Sequence, residues 1–287
     1  MKKKILCFIL ICFVICSLVI GYFFFFNKTS IGKCSTELRD IEFINIGNNN
    51  ILWDTGAKHS LFFDKFTHQF TKTKVGVTKI TDYAFNTILD YLYFSSSVKL
   101  DNQIEIKNLF YNIIKETPNI QSLELDGILG MNVICKANWL IDFSNKTIQI
   151  LSKNIYHLPK DNYNFYLSYK KSKSPKVSIV VQGVEIEDVL VDSGFLRGEL
   201  TLFKEDIEKI NHIKPPVDTT SYNSKGLYEN EMDEVQYTYD SLIVNSVSIN
   251  SIQIIQSEHR RLIGLSFLKR FNSIYLDTKA KRFYFYY

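Results

Sequence analysis

Several residue types are scarce in this sequence, and each scarcity excludes a class of protein. The chain of 287 residues has five cysteines and five histidines. Outside an apolar N-terminal segment only Cys34 and Cys135 remain, too few for a disulfide-rich scaffold. They could pair in an oxidising compartment, but we favour a small apolar role for Cys135 on a short helix and a place in a tether for Cys34. Neither the cysteines nor the histidines have metal-ligand spacing, so no metal is expected.

The sequence has no large excess of charge of either sign, and several well-known functional motifs are absent. The formal net charge is +4, and three lysines at residues 2–4 supply most of it, so the body has no basic footprint for nucleic acid. The sequence contains no Gly-x-Ser-x-Gly elbow, phosphate-binding loop or dinucleotide fingerprint. We therefore expect no cofactor and no nucleic-acid partner.

One long hydrophobic run is present, at residues 5–26, directly after the three lysines. A membrane-spanning helix needs roughly 20 apolar residues, whereas the core of a cleaved signal has about 7–15. Residues 1–26 are therefore predicted to form an N-terminal transmembrane anchor, with a cleaved signal peptide as the alternative. Lysines before the span predict that the body lies outside the cytoplasm. Residues 27–40 are predicted to be a short polar tether.

The remaining chain has the composition of β-structure. Val, Ile, Tyr, Phe and Thr recur in short runs separated by Gly, Asn, Asp and Ser, and no long helical pattern interrupts them. Short helices are predicted at residues 60–66 and 202–210, each shortly after one of two Asp-(Thr/Ser)-Gly triplets. The length suits two domains, which we place at residues 41–160 and 161–287, with the boundary in a stretch rich in Pro, Lys, Asn and Ser.

Two apolar strands end in an aspartate that a hydroxyl residue and a glycine follow. They are Ile51-Leu52-Trp53-Asp54-Thr55-Gly56 and Val189-Leu190-Val191-Asp192-Ser193-Gly194. One such triplet is weak evidence, because plain turns use the same residues. A carboxylate at the end of a buried strand is costly, however, and a site with two of them is a candidate for acid and base chemistry.

The sequence around the two triplets is repeated. Two apolar residues and a glycine follow each triplet at nearly equal distance, Ile128-Leu129-Gly130 in the first half and Leu262-Ile263-Gly264 in the second. A short amphipathic run, an asparagine and an apolar strand with an aspartate, Asp142 or Asp277, follow each glycine. Self-similarity over half a chain indicates duplication and a two-fold pseudo-symmetric site between the copies.

These motifs resemble the two lobes of a pepsin-like or retropepsin-like aspartic peptidase. The resemblance covers the chain from about residue 41 to its end and implies an all-β fold of two similar closed, barrel-like lobes. It implies Asp54 and Asp192 as the catalytic residues, and Thr55, Gly56, Ser193 and Gly194 as the residues that support their loops. It also implies a flap hairpin, for which residues 78–93 are the candidate, with Tyr83 near the tip as a substrate-binding residue. A half-buried packing role for Tyr83 is the simpler alternative.

The sequence thus predicts a membrane-anchored aspartic endopeptidase that acts as a monomer on peptides or proteins, because both aspartates are in one chain. The alternative is an inactive relative that binds peptides or surfaces. Phe195 is its best argument, since this residue is bulkier than Ala57 at the matching position. Lys58, His59 and Arg197 lie close to the two loops; if one pointed inward it would favour ionised carboxylates.

Overall fold

The computed structural model describes residues 13–14, 28–38, 43–47, 49–81, 87–116, 118, 121, 123–153, 163–225 and 231–287. The strands within these residues are β1 (Ser30–Ile31), β2 (Cys34–Glu37), β3 (Ile51–Trp53), β4 (Ser60–Phe63), β5 (Thr73–Thr81), β6 (Thr87–Lys99), β7 (Glu105–Ile114), β8 (Gly127–Leu129), β9 (Asn138–Asp142), β10 (Thr147–Leu151), β11 (Phe165–Ser168), β12 (Lys176–Val181), β13 (Val184–Val191), β14 (Leu200–Leu202), β15 (Asp218–Lys225), β16 (Glu231–Val244), β17 (Val247–Gln256), β18 (Leu262–Ile263), β19 (Ser273–Asp277) and β20 (Arg282–Tyr286). The helices that lie entirely within these residues are a 3-10 helix (Asp64–Gln69), α1 (Met131–Ile134), α2 (Lys204–Ile213) and α3 (Leu265–Leu268). The fold is mostly β, which confirms the predicted class.

Two of the three sheets repeat one strand order. The first runs β3-β8-β4-β7-β6-β5, with β1 paired to β7, and the second runs β12-β13-β18-β14-β17-β16-β15. In each, the strand that leads into an aspartate pairs in parallel with the short strand before the later glycine, β3 with β8 and β13 with β18. In the second sheet β12 also pairs with β16 through Val181 and Val244, so this sheet closes on itself. The sequence repeat is thus a repeat of structure.

The third sheet joins the halves. Its order is β11-β20-β19-β9-β10-β2, and antiparallel pairing of β19 with β9 lies at its centre. β9 and β10 follow the first repeat, and β19 and β20 follow the second. Their alternating apolar residues, among them Trp139, Phe283 and Phe285, are buried. One hydrophobic core therefore runs through both halves and fixes their relative position.

A long hairpin projects from each repeated sheet. The first, β5 and β6, covers most of the predicted flap, and its side chains Val77 and Leu89 are 60% and 75% exposed. Tyr83, predicted near the tip of the flap, lies outside the described residues. In the second hairpin, residues 222–225 are mostly polar and nevertheless belong to β15. They pair with β16 in regular register, so the partner strand overrides the low β propensity of the sequence.

Residues 28–38, predicted as part of a tether, contribute to the sheets. β1 pairs with β7, and β2 pairs with β10 at the edge of the central sheet. β2 and β11 occupy the two opposite edges of this sheet, so the structural repeat begins upstream of the repeat visible in the sequence. The predicted domain boundary falls within residues 154–162, outside the described part of the chain.

The two short helices begin later than predicted. Residues 60–63 form β4 before the 3-10 helix, and residues 200–202 form β14 before α2. Both strands are fully buried, and each pairs with strands on two sides. Tertiary pairing, which a local pattern does not register, accounts for the difference.

The predicted transmembrane segment lies, except for Phe13 and Val14, outside the described residues. Among the residues that are described, no helix combines the length and the apolar character needed to cross a bilayer.

Candidate active site

The two aspartates of the triplets stand at equivalent places in the two repeated sheets. Asp54 follows β3, and its N–H donates to the carbonyl oxygen of Leu129 on β8 at 3.0 Å. Asp192 follows β13, and its N–H donates to the carbonyl oxygen of Ile263 on β18 at 2.9 Å. Strands β3, β8 and β18 are fully buried, because apolar residues occupy both of their faces. Strand β13 alternates between buried and exposed residues, and its last residue, Val191, is buried. Each carboxyl is therefore held by rigid elements.

Hydroxyl groups connect the two loops across the boundary between the halves. Thr55 Oγ1 donates to the carbonyl oxygen of Val191 at 2.7 Å, and Ser193 Oγ donates to the carbonyl oxygen of Trp53 at 2.7 Å. The Thr55 N–H donates to Ser193 Oγ at 3.0 Å, and the Ser193 N–H donates to Thr55 Oγ1 at 3.1 Å. Both side chains are fully buried. This reciprocal network fixes the separation of the two loops.

The glycines of the triplets are required by close approach. A Cβ added to Gly56 would overlap the carboxyl of Asp192, and one added to Gly194 would overlap the carboxyl of Asp54. Main-chain N–H groups of the two loops donate hydrogen bonds to the carboxylates. The N–H groups of Gly56 and Ala57 donate to Asp54 Oδ1 at 2.7 and 2.9 Å, and the N–H of Gly194 donates to Asp192 Oδ1 at 3.0 Å.

The structure brings the two carboxyl groups together. They hydrogen-bond to each other, and the Gly194 N–H also reaches Asp54. Both aspartates keep partial access to solvent. A hydrogen bond between two carboxyl groups requires a proton on one of them, and two adjacent buried carboxylates repel each other. The state with one shared proton is therefore the favoured one.

Burial dominates the titration of the pair. It raises the pKa of Asp54, while the N–H groups of Ala57 and Gly56 oppose this rise. Burial first, and then the charge of Asp54, raise the pKa of Asp192 to about 8, while the positive charge of Arg260 acts in the opposite direction. Two carboxyls with raised pKa values, one of which can be protonated while the other is ionised, are suited to acid and base catalysis.

Phe195 lies away from the space between the carboxyls. Its side chain is buried in a small cluster with Ile255 and Leu262, within the second half. Its main chain continues the Asp192 loop, since its N–H donates to the carbonyl oxygen of Asp192 at 3.1 Å. The bulk of this ring is thus accommodated by the strands behind the loop.

The basic residues near the loops differ in their contacts. Arg197 forms an ion pair with Glu234 at 3.5 Å. Burial lowers the pKa of His59, and the charges of Lys58 and Lys173 lower it further. Arg260 is the cation that acts on Asp192, and the sequence analysis did not single it out. Its position two residues before Leu262 is the signal that could have drawn attention to it.

The remaining candidate residues have structural roles. Asp142 accepts the N–H of Asn145 at 2.8 Å, and Asp277 accepts the N–H groups of Lys279 and Ala280 at 3.0 and 2.8 Å, as expected of turn residues. Both Cys34 and Cys135 are free thiols. Within the described ranges no three His, Cys, Asp or Glu side chains cluster to hold a metal ion.

Comparisons with known proteins agree with the resemblance found in the sequence. Residues 38–155, which include Asp54, match the family model for retroviral aspartyl protease. A solved structure of a retropepsin-like aspartic protease from Rickettsia conorii matches 42% of this chain and 89% of its own, with 20% identity and a TM-score of 0.30. Comparison with curated proteins gives no match. The family-model match confirms the resemblance to retropepsin-like aspartic peptidases over residues 38–155.

Proposed function

We propose that this chain, which resembles retropepsin-like aspartic peptidases, is an aspartic endopeptidase in which Asp54 and Asp192 together activate a water molecule. The observation that carries the proposal is the hydrogen-bonded carboxyl pair, contributed by two equivalent loops and partly open to solvent. Thr55, Gly56, Ser193 and Gly194 support the pair. The two repeats form two lobes of one acid-protease fold, so we propose that the monomer is active.

The chemistry follows from the shared proton. The ionised carboxylate takes a proton from the bound water, whose oxygen attacks the carbonyl carbon of the scissile peptide bond. The protonated carboxyl donates its proton to the carbonyl oxygen, which forms a tetrahedral diol. The C–N bond then breaks as the leaving nitrogen receives a proton from one carboxyl, while a diol hydroxyl returns its proton to the other. The pair regains its single proton, and no cofactor takes part.

The N-terminal segment sets the proposed location. Residues 5–26 are uncharged and apolar, and lysines precede them. We propose that they anchor the chain in a membrane with the protease body outside the cytoplasm. We test this topology with an added protease on cells that have no outer membrane or whose outer membrane has been removed, compared with lysed cells. The body should be digested before lysis, and protection until the cytoplasmic membrane is lysed would contradict the proposal.

The function is tested with the full chain, purified in detergent and incubated with a mixed peptide library from acidic to neutral pH. Wild type should cleave peptides, and Asp54→Asn and Asp192→Asn should lower kcat by at least about a thousandfold, because one carboxyl cannot both accept and donate the protons. Asp142→Asn is the matched control, since this carboxylate only accepts hydrogen bonds in a turn.

The outcomes separate the two candidate functions. Cleavage that is lost in both active-site variants and retained in the control supports the enzyme. Peptides that are retained but remain intact support the inactive binding module. Cleavage that persists in either active-site variant contradicts the assigned roles.

A further inference from the structure

The second hairpin is attached to the loop that carries Asp192. Tyr222 on β15 packs against the cluster of Phe195, Ile255 and Leu262. Arg197, two residues beyond Phe195, forms its ion pair with Glu234 on β16. The Tyr222 hydroxyl hydrogen-bonds to the carboxylate of Glu234, its direct cross-strand neighbour. An apolar contact and an ion pair thus connect the same two elements.

We propose that this attachment makes Arg197, Glu234 and Tyr222 positioning residues, which hold the Asp192 loop in its catalytic geometry. This proposal rests on the proposed function, because the loop has a catalytic geometry only if Asp192 is a catalytic residue. We call the group of Phe195, Arg197, Tyr222 and Glu234 the hairpin anchor.

The ion pair of the hairpin anchor is strongly constrained by burial. The side chain of Glu234 is only 4% exposed, whereas that of Arg197 is 30% exposed. A buried carboxylate without a cation is costly, so Glu234 holds the guanidinium close to β16. The Arg197 guanidinium also lies over the Phe195 ring, 5.7 Å from its centroid. The carboxylate of Glu234 on the hairpin therefore restrains Arg197 directly, and Phe195 through its contact with the Arg197 guanidinium.

The loop transmits this restraint to Asp192 through its main chain. The Phe195 N–H donates to the carbonyl oxygen of Asp192, and the Phe195 carbonyl oxygen accepts the N–H of Leu265 at the start of α3 at 2.9 Å. Between them, the Gly194 N–H donates to the Asp192 carboxylate. A shift of Phe195 would move Gly194 and so alter the hydrogen bonds of the carboxyl pair.

The first half has a different arrangement at the equivalent place. Ala57 corresponds to Phe195, because its carbonyl oxygen accepts the N–H of Met131 at the start of α1 at 2.8 Å. Its methyl group cannot make the contact that the Phe195 ring makes. The outer strands of the first hairpin are exposed, with Tyr91 50% accessible.

Kinetics of the full chain test the hairpin anchor. Arg197→Met should lower kcat roughly ten- to a hundredfold with KM changed less, because a displaced catalytic group affects the chemical step. The double variant Arg197→Met with Glu234→Gln should recover part of this loss, since it leaves no buried unpaired charge. Lys214→Met is the control: it removes the ion pair with Asp240 on the same strand β16, 2.8 Å long, and should leave kcat unchanged.

A second measurement is independent of turnover. Hydrogen exchange of the segment 190–198 should become faster in Arg197→Met, and faster to a smaller degree in Tyr222→Phe, which keeps the ring and is expected to fold. Exchange that equals wild type in both variants would overturn the anchor whether or not the protein cleaves peptides. If the variants exchange faster but wild type never cleaves peptides, the anchor is supported and the proposed function is refuted. A loss of kcat in Lys214→Met equal to that in Arg197→Met would also overturn the hairpin anchor.

Discussion

At the scale of the residue, Arg260 tunes the carboxyl pair. Its positive charge lowers the pKa of Asp192, which burial and Asp54 raise. In the proposed mechanism catalysis requires one proton on the pair, so activity should decline when pH rises through the pKa at which this proton is lost. Arg260→Gln removes the opposing charge and raises that pKa. The alkaline limb of the profile of kcat/KM against pH should therefore move to higher pH in this variant.

The control for this prediction is Lys209→Gln, which removes one positive charge from an exposed position on α2. Its alkaline limb should coincide with that of wild type. If Arg260→Gln left the limb in place, or moved it to lower pH, Arg260 would not act on Asp192.

At the scale of the element, β2 extends the fold beyond the region that resembles the family in sequence. It forms four residue pairs with β10, and Leu38, next to it, is buried. A chain that begins at residue 41 loses these contacts, whereas one that begins at residue 28 keeps them. We expect the shorter chain to be less stable by roughly 2–4 kcal/mol, from one buried leucine and several strand hydrogen bonds. Urea unfolding of both chains measures the difference, and equal midpoints would show that β2 contributes nothing.

At the scale of the whole molecule, the carboxyl pair links stability to pH. The folded pKa of Asp192, about 8, lies above its ordinary value of 3.8. The folded protein therefore binds more protons than the unfolded chain between these values, and stability falls as pH rises through this window. The contribution of Asp192 to the free energy of unfolding is fully present below pH 3.8 and is lost as pH rises to about 8. Asp192→Asn should flatten this part of the profile.

Urea midpoints at a series of pH values from 4 to 8 test this linkage. Asp142→Asn, which removes a carboxylate from a turn, should retain the slope of wild type. A slope that is the same in Asp192→Asn and in wild type would show that the pair does not control stability over this range.

Much of the site could be predicted from sequence because its chemistry is local. A buried strand must be apolar, a tight loop beside a carboxyl needs glycine, and both requirements fall within a few consecutive residues, as in Trp53-Asp54-Thr55-Gly56. Since the same pattern occurs twice, the sequence alone determined the two-fold repeat, the mostly β class and the pair of candidate carboxyls.

Contacts between distant segments were decided only by the tertiary structure. The bonds from Thr55 to Val191 and from Ser193 to Trp53 join residues that no local pattern relates. The same holds for β2 at the edge of the central sheet and for Arg260 beside Asp192. Strand pairing and charge proximity depend on where the whole chain places each group, so the raised pKa values and the hairpin anchor follow from the fold and not from the residues one by one.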